Sequence, residues 1–379
     1  MNMKNLVALL AVILISSFTL KVQADSQVSL DSPEWSYTSE NKGILSDFKK
    51  LGEYIYIQYR SDDTSYEILN DKTGKRTGEI QSQRNTYFAL DNKGNIYIIS
   101  NDGRSRKLFL NIYNTHGKKI GTYNFNETVD LYSITATKDG KVLVYIRNNV
   151  AKNIVYKFSD SGKILKKMET WDFVNGYYGK LYAYKKIDSN SGKILFYDDN
   201  LVNSNSYTTK YVERGIHLGS NADGVMYFGK YEYNKPTFTI SAVKEDGKLL
   251  WKQDFKGQST ADSFQKFAYL NNNLIGTMNF VLAVDDTIYV FNNKGLIGKR
   301  QFSYNADYPM KTMTIKYGYD NTIMVEADTS LTIVNGNNLK TIKEINIPKY
   351  RYDDYYYDGN GIIYATYDDA VIKKFDYKK

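Results

Sequence analysis

The chain has 379 residues, with 50 Lys and Arg against 42 Asp and Glu, two His and no Cys. That composition excludes disulfides, a cysteine-borne lipid anchor and a zinc centre built on several His or Cys ligands. A formal charge of +8, spread along the chain with no basic block and no nucleic-acid motif, argues against a nucleic acid as partner.

Residues 1–24 read as a secretory signal peptide. Lys4 marks the charged region, Leu6 to Ile15 the apolar run, and Val22-Gln23-Ala24 a small-residue cleavage site before Asp25. The run is shorter than the ~20 apolar residues that a membrane-spanning helix needs. No later stretch reaches that length, so no transmembrane anchor is expected. Losing Lys4 and Lys21 leaves +6 on residues 25–379, which are expected to form one domain, monomeric and secreted or periplasmic.

After the leader comes Glu34 to Thr38, a short strand with no repeat unit before it. From there the chain speaks one sentence again and again. Its clearest copy is Ile216 to Phe255, four strands (216–220, 225–232, 237–243 and 249–255) divided by Asp-Gly, Asn-Lys-Pro and Asp-Gly-Lys turns. The turn between the first two strands of each unit is anchored at residues 52, 94, 140, 179, 224, 273, 321 and 361, spaced 39 to 49 apart. A second turn joins the third and fourth strands, as in Asp71-Lys72-Thr73-Gly74-Lys75, Thr115-His116-Gly117-Lys118 and Asp160-Ser161-Gly162-Lys163. No apolar run has helical spacing after the leader.

Four-stranded units at that spacing predict an all-β fold, an eight-bladed β-propeller, with seven blades as the alternative if the loose unit at 265–304 is irregular. The last unit ends after Ala370 to Asp376, one strand short. Glu34–Thr38 is expected to complete it, so that an N-terminal strand closes the ring and removes two free edges. Tyr, at 36 residues, follows these strands, with its hydroxyl expected to reach the sheet edge.

The segment Ala242-Val243-Lys244-Glu245-Asp246-Gly247-Lys248-Leu249-Leu250-Trp251 resembles the hairpin of the PQQ-like repeat, within the PQQ-like and WD40-like β-propellers. Ser159 to Leu165 echoes it without the Trp. One branch with that repeat, the quinoprotein dehydrogenases, holds pyrroloquinoline quinone and calcium. Its cysteines and recurring Trp are absent here, so no cofactor is expected. The other branch resembles the non-enzymatic scaffold of outer-membrane protein assembly, normally anchored through a Cys that this chain lacks. That resemblance implies a binding platform with a protein partner or an anionic glycan or polymer.

Chemistry is sparse. His116 sits in a turn and His217 begins a first strand, so they are expected to lie apart, which leaves no zinc site and no catalytic triad. Asp91–Asn95 and Asp358–Gly361 lack the ligand spacing of a calcium loop and read as turns. Tyr350 to Asp358 reads as a first strand with its leading loop, or as an aromatic and acidic ledge.

Loops entering the first strands should surround one mouth of the central channel. The residues there are Arg84, Asp130, Asp172, Arg214, Lys266, Lys311 and Arg351, with Asp47 in the first unit and His217 just inside. Five of these are basic, which points to an anionic ligand. The expected function is therefore an exported binding module without catalytic residues. The alternative is a calcium-dependent hydrolase, lactonase or lyase with carboxylates at the channel.

Overall fold

The computed structural model describes residues 28–378 apart from internal stretches, of which 210–215, 257–279, 303–313 and 348–353 are the longest. The leader and the cleavage site lie outside the described residues. All regular elements described are strands, and each unit is an antiparallel meander of the kind its turns predict.

The chain opens with β1 (Val28–Ser29) and β2 (Trp35–Thr38). One sheet then takes β3 (Ile44–Leu51), β4 (Tyr54–Arg60), β5 (Thr64–Asn70) and β6 (Arg76–Ser82) in order. Seven strands follow in a single sheet: β7 (Tyr87–Leu90), β8 (Ile96–Asn101), β9 (Lys107–Tyr113), β10 (Lys119–Ala136), β11 (Val142–Asn148), β12 (Asn153–Phe158) and β13 (Ile164–Thr170). Two four-stranded sheets come next. They are β14 (Phe173–Tyr177), β15 (Lys180–Lys186), β16 (Gly192–Tyr197) and β17 (Asn203–Thr209), then β18 (Ile216–Ser220), β19 (Met226–Tyr231), β20 (Thr237–Val243) and β21 (Leu249–Lys256). A three-stranded sheet contains β22 (Phe280–Val284), β23 (Thr287–Asn292) and β24 (Gly295–Gln301).

In the next sheet β25 (Thr314–Tyr317), β26 (Thr322–Glu326), β27 (Ser330–Asn335) and β28 (Thr341–Asn346) gain β1 as a parallel fifth strand, Val28 opposite Ile345. The last sheet joins β29 (Asp354–Gly359), β30 (Ile362–Tyr367) and β31 (Val371–Asp376) to β2, with Trp35 opposite Lys374.

The expected count of eight, or seven, blades is corrected. Among the described residues, six sheets have four strands or more. The difference has two causes. The strand β10 runs without a break and fuses two units, and the unit holding 265–304 has three strands among the described residues.

Middle strands are buried along nearly their whole length, as in β5 and β12, because both faces of a unit are covered by its neighbours. Fourth strands are far more exposed, with β13 open over its first four residues. These outer edges share a device that the sequence did not disclose. In seven units among the described residues the last strand, which is β24 in the three-stranded sheet and the fourth strand elsewhere, carries one extra residue near its start. The bulged residues are Thr77, Ile120, Leu165, Ser204, Leu250, Ile297 and Ile342. A bulge bends and twists an edge strand, which spoils it as a template for another chain.

Neighbouring units are tied by hydrogen bonds from a fourth strand to the next unit's last turn. Trp251 Nε1 donates to the Asn292 carbonyl at 3.1 Å, and Arg300 donates to the Leu339 carbonyl at 2.8 Å. Trp35 Nε1 does the same to the Asp71 carbonyl at 2.8 Å. Tyrosines add to this, with Tyr56 donating to the Gly94 carbonyl and Tyr97 to that of Ser159.

The seam between the last sheet and the first is the most polar. The Asp71 carboxylate accepts from Tyr364 at 2.6 Å and pairs with Lys374 at 3.0 Å and Lys50 at 3.6 Å. Lys50 also pairs with Asp358 at 2.5 Å, and Lys374 with Glu34 at 3.6 Å. Burial and then the Asp71 carboxylate push the Tyr364 hydroxyl far above its ordinary value. Gly74 completes the joint. Its φ is +67°, and a Cβ there would stand 2.7 Å from the Trp35 ring.

Replacing Asp71 by Ala is expected to cost about 2–4 kcal/mol in urea unfolding, since two largely buried ammonium groups each lose one of two carboxylate partners and Tyr364 loses its acceptor. Asp71→Asn, which still accepts from Tyr364, should lose less. Stability of Asp71→Ala within ~0.5 kcal/mol of wild type, the range of an ordinary surface change, would show that the seam is not held this way.

Candidate binding site

First strands of successive units stand side by side, and the best described part of this surface runs from β29 through β3 and β7 to the second half of β10. Asp47 on β3 and Asp354 on β29 occupy matching places, each turning its carboxylate back to accept the next residue's N–H. The distances are 2.8 Å to Phe48 and 2.7 Å to Tyr355. Lys49 pairs with Asp47 at 3.1 Å, donates to the Phe88 carbonyl at 2.8 Å and lies 3.7 Å from the Phe88 ring centre. Burial, then Asp354 and Asp47, raise the Tyr356 hydroxyl far above the usual phenol range.

A polar knot ties β4 and β5 to the entry of β7. Gln58 donates to the Tyr66 hydroxyl at 2.9 Å and to the Thr86 carbonyl at 3.1 Å, while Tyr66 and Thr86 share a 2.5 Å hydrogen bond. Gln58, Tyr66 and Thr86 are all buried. Beside this knot Tyr87 is 48% exposed and meets Tyr132 edge-on at 5.6 Å between ring centres. Burial, with a smaller push from Tyr87, raises the Tyr132 hydroxyl to about 12. An exposed aromatic backed by a rigid polar joint suits a flat ligand face such as a sugar ring or a peptide side chain.

The residues expected at the basic mouth are described only in part. Arg84, Arg214, Lys266, Lys311 and Arg351, and with them Asp172, lie outside the described residues. His217 is placed on β18 opposite Phe228, and Asp130 on β10 at the register break after Val129. His116 is exposed in the β9–β10 turn, its Nδ1 3.3 Å from Thr115 Oγ1. The Tyr350–Asp358 stretch is described from Asp354 onward and is no ledge there. Tyr355 and Tyr357 are buried in the core, and Asp358 is spent on Lys50. Asp91, in one of the two turns that superficially resemble calcium loops, accepts the backbone N–H groups of Lys93 and Asn95, which is a turn's work. Among the described residues no three His, Asp or Glu gather as a metal site would require. Sequence reasoning missed Lys49 and Tyr87, which sit inside strands where no turn marks them.

Two solved structures are similar to this one. BamB from Moraxella catarrhalis matches at a TM-score of 0.52 and 13% identity, over 91% of this chain and 99% of that one. The fold is a β-propeller. The computationally designed Ika8 protein matches at a TM-score of 0.48 and 10% identity, over 89% of this chain and 98% of that one. No family model matches the chain, and no curated protein matches it in sequence. No helix among the described residues is long and apolar enough to cross a membrane. In a propeller the first strand of each blade lines the central channel. Asp47, Lys49, Tyr87, Tyr132 and Asp354 lie on such strands.

Gln58→Leu is expected to destabilise the fold by about 1–3 kcal/mol, because buried Tyr66 and Thr86 groups lose a partner. Tyr87→Ala should cost no more than about 0.5–1.5 kcal/mol, the worth of one aromatic pair. Chemical denaturation of both variants checks this. Equal losses would mean that Tyr87 is a packing residue and not a free binding surface.

Proposed function

We propose that this protein is an exported propeller that binds an anionic partner at the channel mouth and performs no chemistry of its own. The observation that carries the reading is the run of five basic residues, Arg84, Arg214, Lys266, Lys311 and Arg351, each just before a blade's first strand. Like charges gathered at a channel of low-dielectric walls focus their field on an incoming anion. The exposed Tyr87 against Tyr132 supplies an aromatic face on two of the first strands. An acidic glycan, a phosphate-bearing polymer or an acidic protein segment has the matching chemistry. The leader read in residues 1–24 would place this binding outside the cytoplasm, in the periplasm or the medium. The same reading takes the N-terminal strand β2 as the closure of the ring, which keeps the mouth rigid without a ligand.

A second reading, a calcium-dependent hydrolase, lactonase or lyase, rests on Asp47 and Asp354 standing in adjacent blades at the channel. The two are separated by one experiment. Binding of anionic polysaccharide and of polyphosphate is compared for wild type and an Arg214→Ala, Lys311→Ala, Arg351→Ala variant across a salt series, with and without calcium. Wild-type binding that weakens with salt and drops about tenfold or more in the variant, without calcium, supports the anion site. Equal binding by both, or none at low salt, contradicts it. Binding that requires calcium favours the enzyme reading.

A further inference from the structure

The fourth-strand bulges carry more than edge protection. A guard needs only a polar residue, and Thr77 serves in that way. Four of the seven bulges instead hold exposed aliphatic side chains: Ile120 at 51%, Leu165 at 47%, Ile297 at 42% and Ile342 at 47%. Ile164 and Leu249 add further exposed aliphatic surface at the start of their strands. Each lies just past the turn that joins a blade's third and fourth strands. In an antiparallel meander those turns share one face of the ring, so the aliphatic groups recur around the perimeter of that face.

The charge beside them is mainly positive. Over residues 114–120, 159–165, 244–250, 292–299 and 335–343 the sequence has nine lysines against three acidic residues. Lys118, Lys163, Lys248 and Lys340 each lie two residues before a bulge, Lys294 lies three before one, and all five are exposed. Each is locked by a backbone bond to its own turn, as when Lys118 N–H meets Asn114 Oδ1 at 3.0 Å. Repetition on successive blades presents lysine and aliphatic side chains together along a ring, not in one patch.

We infer that this rim is a peripheral docking surface for an anionic lipid bilayer, with the bulge aliphatics entering the interface and the lysines meeting lipid phosphates. An array of similar small contacts repeated on several blades fits a plane better than it fits the irregular surface of a single protein. Apolar insertion and electrostatic attraction to anionic lipid are the two contributions that hold a surface-bound protein, and both are present. The site is on the face opposite the mouth proposed above and does not depend on it.

Co-sedimentation of the mature chain with phosphatidylglycerol–phosphatidylcholine vesicles tests this, with pure phosphatidylcholine as control. Wild type is expected to bind the anionic vesicles, more weakly as salt rises, and to leave the control unbound. Two variants should each bind about tenfold more weakly or worse. One is Ile120→Ser, Leu165→Ser, Ile297→Ser, Ile342→Ser, and the other Lys118→Gln, Lys163→Gln, Lys294→Gln, Lys340→Gln. Because all eight positions are exposed, melting temperatures should hold. If the first variant nonetheless melts early, Ile342→Trp in the wild-type background reports insertion through a blue shift on anionic vesicles. The inference is overturned if wild type ignores anionic vesicles at low salt. It is equally overturned if both variants bind as wild type does, or if the mouth variant alone loses vesicle binding.

Discussion

Asp71 draws together side chains from three separate parts of the chain: Lys50 from the first blade's inner strand, Tyr364 and Lys374 from the last blade, and through its carbonyl Trp35 from the N-terminal strand. A ring of sheets has no natural end, and in the proposed closure by β2 this is where the two ends of the chain meet. At another joint Trp251 reaches the next blade through its single N–H, donated to the Asn292 carbonyl. At the seam the chain cannot rely on a short covalent connection between neighbours. A cluster of opposite charges with defined hydrogen-bond directions takes its place. Such a cluster contributes little net stability when intact but costs much when one member is lost. That asymmetry suits a joint that has to form in one register only.

The N-terminal segment reinforces the same joint from outside. Leu30 is buried at 1% exposure among Met324, Ile345, Tyr355 and Ile363, between the last two blades. From there the segment lays β1 along β28 and β2 along β31, so it crosses two outer edges in one pass. Two edges that would otherwise be open are covered by the chain itself. The remaining outer strands are managed by bulges and lysines, and it is this second solution that leaves the perimeter both cationic and studded with aliphatic groups.

Much of this was legible because turns are written in a small alphabet. Gly74, Gly117 and Gly162 adopt positive φ where Gly was expected, and the strands of the 216–256 unit lie within a residue or two of their sequence-based bounds. The Trp that made Ala242–Trp251 resemble a PQQ-like hairpin does a visible job, bridging to the next blade. Other features were not legible, for physical reasons. The bulges leave no mark, since an extra residue in an edge strand can be Thr, Ile or Leu alike. The fusion through β10 arises where Asn126-Glu127-Thr128 offers no Gly or Pro to end a strand. The parallel pairing of Val28 and Ser29 is too short to show a period. At the channel, Lys49 and Tyr87 lie within strands, whereas the mouth was read from loops.

The most direct test of this account is the thermal melting of a chain lacking residues 33–39, compared with the full mature chain. Removing them takes away β2, Glu34 and the Trp35 bridge while leaving all other strands intact. If the N-terminal strand closes the ring, the midpoint should fall by at least about 10 °C or the transition lose its cooperativity, since several kcal/mol of edge pairing and burial disappear together. An unchanged midpoint would mean that the ring holds without it and that the seam has been assigned the wrong role.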